Sequence, residues 1–194
     1  MELLQQTYSV LLVNSSEHFG EQFYAMLPES IYRPVSNAGS INEAQRMLSD
    51  RAYDMIIVNT PLPDDFGVRF AIDLSVNSHS VVMLLVRADI YDAVYGKVCD
   101  SGVFVLRKPT SASSVNQSLD WLRTTRARLR RIEKKSASLQ DKMEEIKLVN
   151  RAKWALITNL NMTETDAHRY IEKQAMDRCV SRRIIAESIL NTYK

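Results

Sequence analysis

Two cysteines, five prolines and five glycines are all that 194 residues contain, and only three histidines accompany them. Cys99 and Cys179 lie far apart in the chain. Neither belongs to a C-x-x-C pair or a metal-ligand cluster, which excludes a disulfide framework and a zinc knuckle and leaves two reduced structural thiols. No apolar run approaches the roughly 20 residues a membrane helix needs. The Met1 to Thr7 stretch, with Glu2, Gln5 and Gln6, is too polar for a secretory leader. A cytoplasmic protein without a membrane segment is therefore expected. The composition, 45% apolar and 25% charged, is that of a chain that can bury a core.

Glycine and proline are distributed unevenly, and so is charge. From Thr110 to Lys194 there is no Gly and no Pro, so this half is expected to be all helical. Residues 1–110 carry 8 Lys and Arg against 13 Asp and Glu, a net −5, and residues 111–194 carry 17 against 10, a net +7. A basic C-terminal half suits a polyanionic partner such as nucleic acid, and solvated surface charge is the competing account.

The first half alternates short apolar runs with amphipathic stretches, the pattern of a parallel sheet covered by helices. Strands are predicted at Tyr8–Val13, Met55–Val58, Ser80–Val86 and Val103–Leu106, with a weaker one near Arg33–Val35. Helices are predicted near His18–Leu27, Ile41–Leu48, Val68–Leu74 and Ile90–Val98, with Ser40 and Glu43 as a capping box.

The residues at these strand ends make the first half similar to the response-regulator receiver domains, a flavodoxin-like fold with a five-stranded parallel sheet. The resemblance implies a phosphorylation site, yet its residues are replaced. Asn14, Ser15 and Ser16 follow the first strand where the family keeps two acidic Mg²⁺ ligands. Asn59 stands at the acceptor position, before the loop Pro61-Leu62-Pro63-Asp64-Asp65-Phe66-Gly67, and Leu85 and Val86 stand where a Ser or Thr is expected. Lys108, followed by Pro109, is the retained residue. An amide cannot become an acyl phosphate, and neutral Asn14 and Ser15 offer a hard cation no charge. No phosphorylation, metal, cofactor or catalysis is expected. Asp54 opens the third strand and Asp64 and Asp65 lie beyond it, so none replaces the acceptor, and Lys108 is expected to pair with Asp64, Asp65 or a backbone carbonyl.

Beyond Pro109, a heptad frame places Leu122, Leu129, Ser136, Met143 and Asn150 on one seam position and Thr125, Ile132, Leu139, Ile146 and Lys153 on the other. The stripe Leu122, Leu129, Ile132, Leu139, Met143 and Ile146 predicts a coiled-coil homodimer, set among Arg123, Arg126, Arg128, Arg130 and Arg131. One long helix packing its stripe on its own domain is the alternative. The organisation expected is a receiver-like domain at 1–110, a coiled-coil linker at 111–138 and a three-helix domain at 139–194.

That last segment resembles the ANTAR domain, the small RNA-binding module of transcription antiterminators. The likeness rests on Ala152-Lys153 after Arg151, on Leu156 and Ile157, on the capped start Thr163-Glu164-Thr165-Asp166-Ala167, on Ala175-Met176 and on Ile185-Ala186. By this resemblance Ala152, Lys153, Ala175, Met176 and Ala186 belong to an RNA-facing surface. Arg151, Arg178, Arg182 and Arg183 join it on charge. The small residues have a plainer role as helix-packing positions. The family commonly has Gly after Ala-Lys, where this chain has Trp154. A large aromatic more often fills a core, so burial is expected there, with stacking on a base as its alternative. The function implied is a non-enzymatic antiterminator that binds RNA stem-loops as a dimer, its receiver-like domain docking a regulatory protein or small ligand. The alternative is a signalling adaptor whose C-terminal helices bind a protein, with Trp154 as anchor.

Overall fold

The computed structural model describes residues 7–193, so most of the polar Met1–Thr7 stretch lies outside the described residues, as does Lys194. The first half alternates strand and helix as β1 (Tyr8–Val13), α1 (Glu17–Tyr24), β2 (Tyr32–Ala38), α2 (Ile41–Asp50), β3 (Met55–Asn59), α3 (Val68–Asn77), β4 (Val81–Arg87), α4 (Tyr91–Val98) and β5 (Phe104–Lys108). All strands are parallel in the order β2-β1-β3-β4-β5. The second half is helical, with α5 (Ala112–Leu160), α6 (Glu164–Asp177) and α7 (Arg182–Thr192).

Strand periodicity divides the core into two layers. Leu11, Val13, Ile56, Val58, Leu84 and Val86 pack with residues of α2, α3 and α4. Their neighbours Val10, Leu12, Met55, Ile57, Met83 and Leu85 pack on the other face with Phe23 of α1 and with Val115, Leu119 and Leu122 of α5. Covering both faces is why the central strands read as unbroken apolar runs rather than alternating ones. Ser40 caps α2 by accepting from the Glu43 N–H at 3.2 Å, and Glu43 returns to accept from the Gly39 N–H at 2.7 Å, one residue earlier than the predicted box.

The chain divides into two compact units, 1–130 and 131–194. The first extends well past residue 110 because α5 begins as the fifth helix of the sheet. Leu119 and Leu122 are 2% and 1% exposed there, each burial contributing about 1.5–3 kcal/mol. Leu122 is therefore unavailable to a second chain, and Leu129 packs against the same layer. The seam predicted from the heptad frame is thus corrected at its N-terminal end, where the alternative of packing on its own domain holds.

Arg126 and Arg130 are likewise turned inward. Arg126 Nε donates to Asp54 Oδ1 at 2.9 Å, and Arg130 Nη2 to Asp54 Oδ2 at 2.5 Å. The Ser9 N–H and hydroxyl donate to the same carboxylate at 2.9 and 3.1 Å. These arginines hold the helix to the start of β3 rather than surrounding an intermolecular stripe.

In the second unit, the last part of α5 packs with α6 and α7 around Val149, Leu156, Ala167, Ile171, Ile185 and Ile189. Thr163 caps α6 through its hydroxyl, which accepts from the Asp166 N–H at 3.1 Å. Asn161, just past α5, takes the left-handed φ of 52° that glycine usually supplies and that Asn tolerates. Cys99 and Cys179 are free and exposed, so neither thiol is a core group.

Candidate functional site

At the carboxyl ends of the strands, where open α/β sheets place their chemistry, neutral side chains have closed on one another. Asn59 ends β3 with 8% exposure and donates through Nδ2 to Asn14 Oδ1 at 2.8 Å. Lys108 Nζ, from the end of β5, donates to Asn59 Oδ1 at 2.6 Å and to the Thr60 carbonyl. Asn14 also receives the Ser16 N–H at 3.2 Å and donates to the Ser16 carbonyl at 2.6 Å. The carbonyl expected for Lys108 is thus Thr60, and the amide of Asn59 is its other partner.

The two loop carboxylates are occupied elsewhere. Asp64 accepts from the N–H groups of Ile41 and Asn42 at 3.1 and 2.9 Å, capping α2. The Asn42 N–H is the chief reason its carboxyl stays below the ordinary carboxylate range. Asp65 accepts from the Gly67 N–H at 2.7 Å. Gly67 has φ of +83°, and a Cβ there would come within 3.1 Å of Val58, so the loop needs its glycine. β4 continues past Leu85 and Val86 to Arg87, the register partner of Lys108. Burial, and then repulsion from Arg87, push the Lys108 ammonium below its usual range.

A divalent cation does not fit this donor set. Asn14 and Asn59 bring no charge, each is engaged by a neighbour, and the ammonium already sits on Asn59. Incubation with acetyl phosphate and Mg²⁺ should leave the intact mass unchanged. The Asn59→Asp variant should stay unmodified too, because Asn14 and Ser15 supply no metal carboxylate. An added phosphoryl group on the unaltered chain, lost on changing one aspartate, would place the acceptor elsewhere and overturn this alignment.

The second unit sorts its predicted residues into core and surface. Ala152 and Ala186 are fully buried and Ala175 is 7% exposed, all in the three-helix core. This corrects their assignment as contact residues, since their small size lets the helices approach. Trp154 goes the other way. It is 68% exposed, so the expected burial is overturned. Ala152 and Leu156 face inward, and a residue two positions from each lies about 200° round the helix.

Arg151 is exposed one turn before Trp154, and Met176 is 77% exposed on α6. Of the other basic residues predicted for the surface, three are paired. Lys153 reaches Glu164 at 3.1 Å and Arg183 reaches Glu187 at 3.2 Å. Arg182 bridges Glu145 at 3.3 Å and Glu172 at 3.9 Å, tying the three helices together. Among the described residues no hydrogen bond or ion pair engages the side chains of Arg151 and Arg178, and none joins them to each other. Tyr170 and Gln174 on α6 and Arg178 just past its end, spaced by four, line a cleft with α7 that sequence reading missed apart from Arg178. Their regular spacing was the available signal.

Among the described residues, no helix is long and apolar enough to cross a membrane. A receiver-type sheet with an altered phosphorylation site, carrying a three-helix unit on its last helix, is the class that fold and residues define. The comparisons agree. The ANTAR domain model matches residues 137–190. The transcriptional regulatory protein PdtaR of Mycobacterium tuberculosis, in the CDC 1551 / Oshkosh and ATCC 25618 / H37Rv strains, is 30% identical over 168 residues, covering 86% of this chain and 82% of the relative. Among solved structures, the signal receiver domain of an HD domain-containing protein from Pseudomonas fluorescens Pf-5 matches with a TM-score of 0.59 at 19% identity, over 68% of this chain and 97% of that one. The beryllofluoride-activated NtrC4 receiver domain matches with a TM-score of 0.54 at 23% identity, over 61% and 98%. The chain belongs to the family of response-regulator-like transcriptional regulators that end in an ANTAR domain.

Proposed function

We propose that the protein is a non-enzymatic, phosphorylation-independent antiterminator that binds stem-loops of nascent leader RNA as a homodimer and so disfavours an overlapping terminator hairpin. The observation that carries this reading is Trp154, 68% exposed beside Arg151 within the ANTAR segment. Single-stranded loops splay their bases, and an exposed indole next to a guanidinium supplies a stacking face and a phosphate contact together. Met176, Arg178, Arg182 and Arg183 extend the candidate surface, the last two with carboxylates to release. Lys153, with its side chain 16% exposed and bound to Glu164, is a weaker candidate than Arg151. The closed Asn14–Asn59–Lys108 cluster supports control by a protein partner or small ligand docked on the receiver-like unit.

The same exposed indole favours a second reading, an adaptor that uses Trp154 to anchor a protein. Sequencing RNA crosslinked to the protein in cells separates the two. Enriched paired hairpins beside terminators support the antiterminator, and a stable protein partner without enriched RNA supports the adaptor. On such hairpins, Trp154→Ala should cost about 1–3 kcal/mol of affinity with thermal stability nearly unchanged. Arg151→Ala should reduce the log–log salt slope by about one unit or less. Hairpins held equally tightly by both variants would remove this face from RNA binding.

A further inference from the structure

A cleft of about 190 Å³ opens between α6 and α7. Tyr170, Gln174 and Arg178 form one wall, Ser188 stands on the other, and buried Leu156 and Ile189 make the floor. Among the described residues the side chains of Tyr170, Gln174, Arg178 and Ser188 form no hydrogen bond or ion pair within the protein, while the hydroxyl of Thr192, also in the lining, donates to the Ser188 carbonyl at 3.0 Å. The lining contains no carboxylate.

We infer that this cleft receives one unstacked nucleobase of the bound RNA, an inference that rests on the RNA-binding reading above. Size selects the guest. Drug-sized ligands need roughly 300–1,000 Å³, so this volume suits a single planar ring. Chemistry narrows it further. The Tyr170 ring, 40% exposed, offers a stacking face. The Gln174 amide both donates and accepts, and the Ser188 hydroxyl does the same, as a base edge requires. Arg178 at the mouth matches the phosphate attached to that nucleotide. Its place just past the carboxyl end of α6 also suits the helix dipole, and exposed Ser188 and half-exposed Gln174 are open to solvent and so free to meet a base edge.

The test uses the full-length protein and hairpins of fixed stem selected from a library of randomised loops. The selected hairpin is rebuilt with an abasic nucleotide at each loop position in turn. One position should lose roughly 5- to 150-fold in affinity, the range of a base–aromatic stack. That loss should vanish in Tyr170→Ala and persist in Tyr170→Phe. Arg178→Gln should weaken binding of every hairpin and flatten the salt slope by about one unit. Ultraviolet crosslinking of the same hairpin to the unaltered protein should yield a peptide containing Tyr170, a readout that needs no variant to fold. Hairpins held as tightly by Tyr170→Ala and Arg178→Gln as by the parent, or crosslinks confined to other peptides, overturn the cleft while leaving RNA binding intact. A library from which the parent selects nothing removes the RNA reading and the cleft with it.

Discussion

Replacing Asp54 by Ala should lower the stability of the receiver-like unit by about 3–5 kcal/mol, the cost of removing one partner from a buried ion pair. Asp54 is 8% exposed, and its carboxylate receives Ser9, Arg126 and Arg130 together. Without it, two guanidiniums and the Ser9 N–H stay in a site that water reaches poorly. Among the described residues Arg130 then retains the Thr7 carbonyl at 3.5 Å and the Tyr8 ring, 4.9 Å from its guanidinium carbon. Removing one arginine should cost less, because the carboxylate keeps the other guanidinium and Ser9. Thermal denaturation should show the Asp54→Ala midpoint lower by on the order of 10 °C or more. A midpoint within a degree or two of the parent would mean that the cluster does not hold α5 to the sheet.

The same cluster fixes a direction for pH. Burial raises the Asp54 pKa, but the Ser9 N–H and then the two arginines lower it by more, so the folded value lies below the ordinary one. The stabilisation is therefore fully present above the unfolded value, about pH 4, and is lost as pH falls through the lower folded value. Asp54→Asn should remove that part of the acid dependence, so parent and variant converge in stability as the solution is acidified.

How much of this was legible depended on the distance over which residues act. The strands and their order of appearance were readable because burial on both faces leaves short unbroken runs such as MIIV at Met55–Val58. The altered phosphorylation site was readable from residue identity, since Asn59 cannot do what a carboxylate does. Its internal closure was not, because Asn14, Asn59 and Lys108 meet only after three strands align. Asp54 lies 72 and 76 residues from its arginines, and nothing local marks such a pairing. That hidden contact, with Leu122, turned part of an apparent dimer seam inward. Small residues are ambiguous for a different reason. An alanine suits a packed helix crossing and a close RNA approach equally, and burial of Ala152, Ala175 and Ala186 selects packing. Trp154 is exposed because its phase relative to Ala152 and Leu156 turns it outward, and that phase, written in the spacing, outweighs the tendency of large aromatics to fill cores.

The exposed remainder of the seam carries the largest expected effect on assembly. Ile132, Leu139, Met143 and Ile146 are 52%, 62%, 60% and 59% exposed on α5, all within the second unit. Their heptad spacing is the self-complementary pattern that a second copy satisfies. Because a two-fold interface presents each residue twice, replacing Ile132 and Leu139 by Asp would put four carboxylates into it. Burying such charge costs several kcal/mol unless it is paired, a loss of a thousandfold or more in dimer affinity at about 1.4 kcal/mol per decade. Sedimentation at micromolar concentration should show a dimer for the parent and a monomer for the double variant. The single chain should keep its helical content, since the altered positions are already solvated and Asp costs an exposed helix only about 0.7 kcal/mol or less per residue. RNA gives an independent readout. The monomeric variant should hold one hairpin as well as the parent does, yet lose the roughly 10²- to 10⁴-fold avidity of binding two linked hairpins at once. A parent that sediments as a monomer, or a double variant that still binds tandem hairpins with full avidity, would exclude this stripe as the dimer interface.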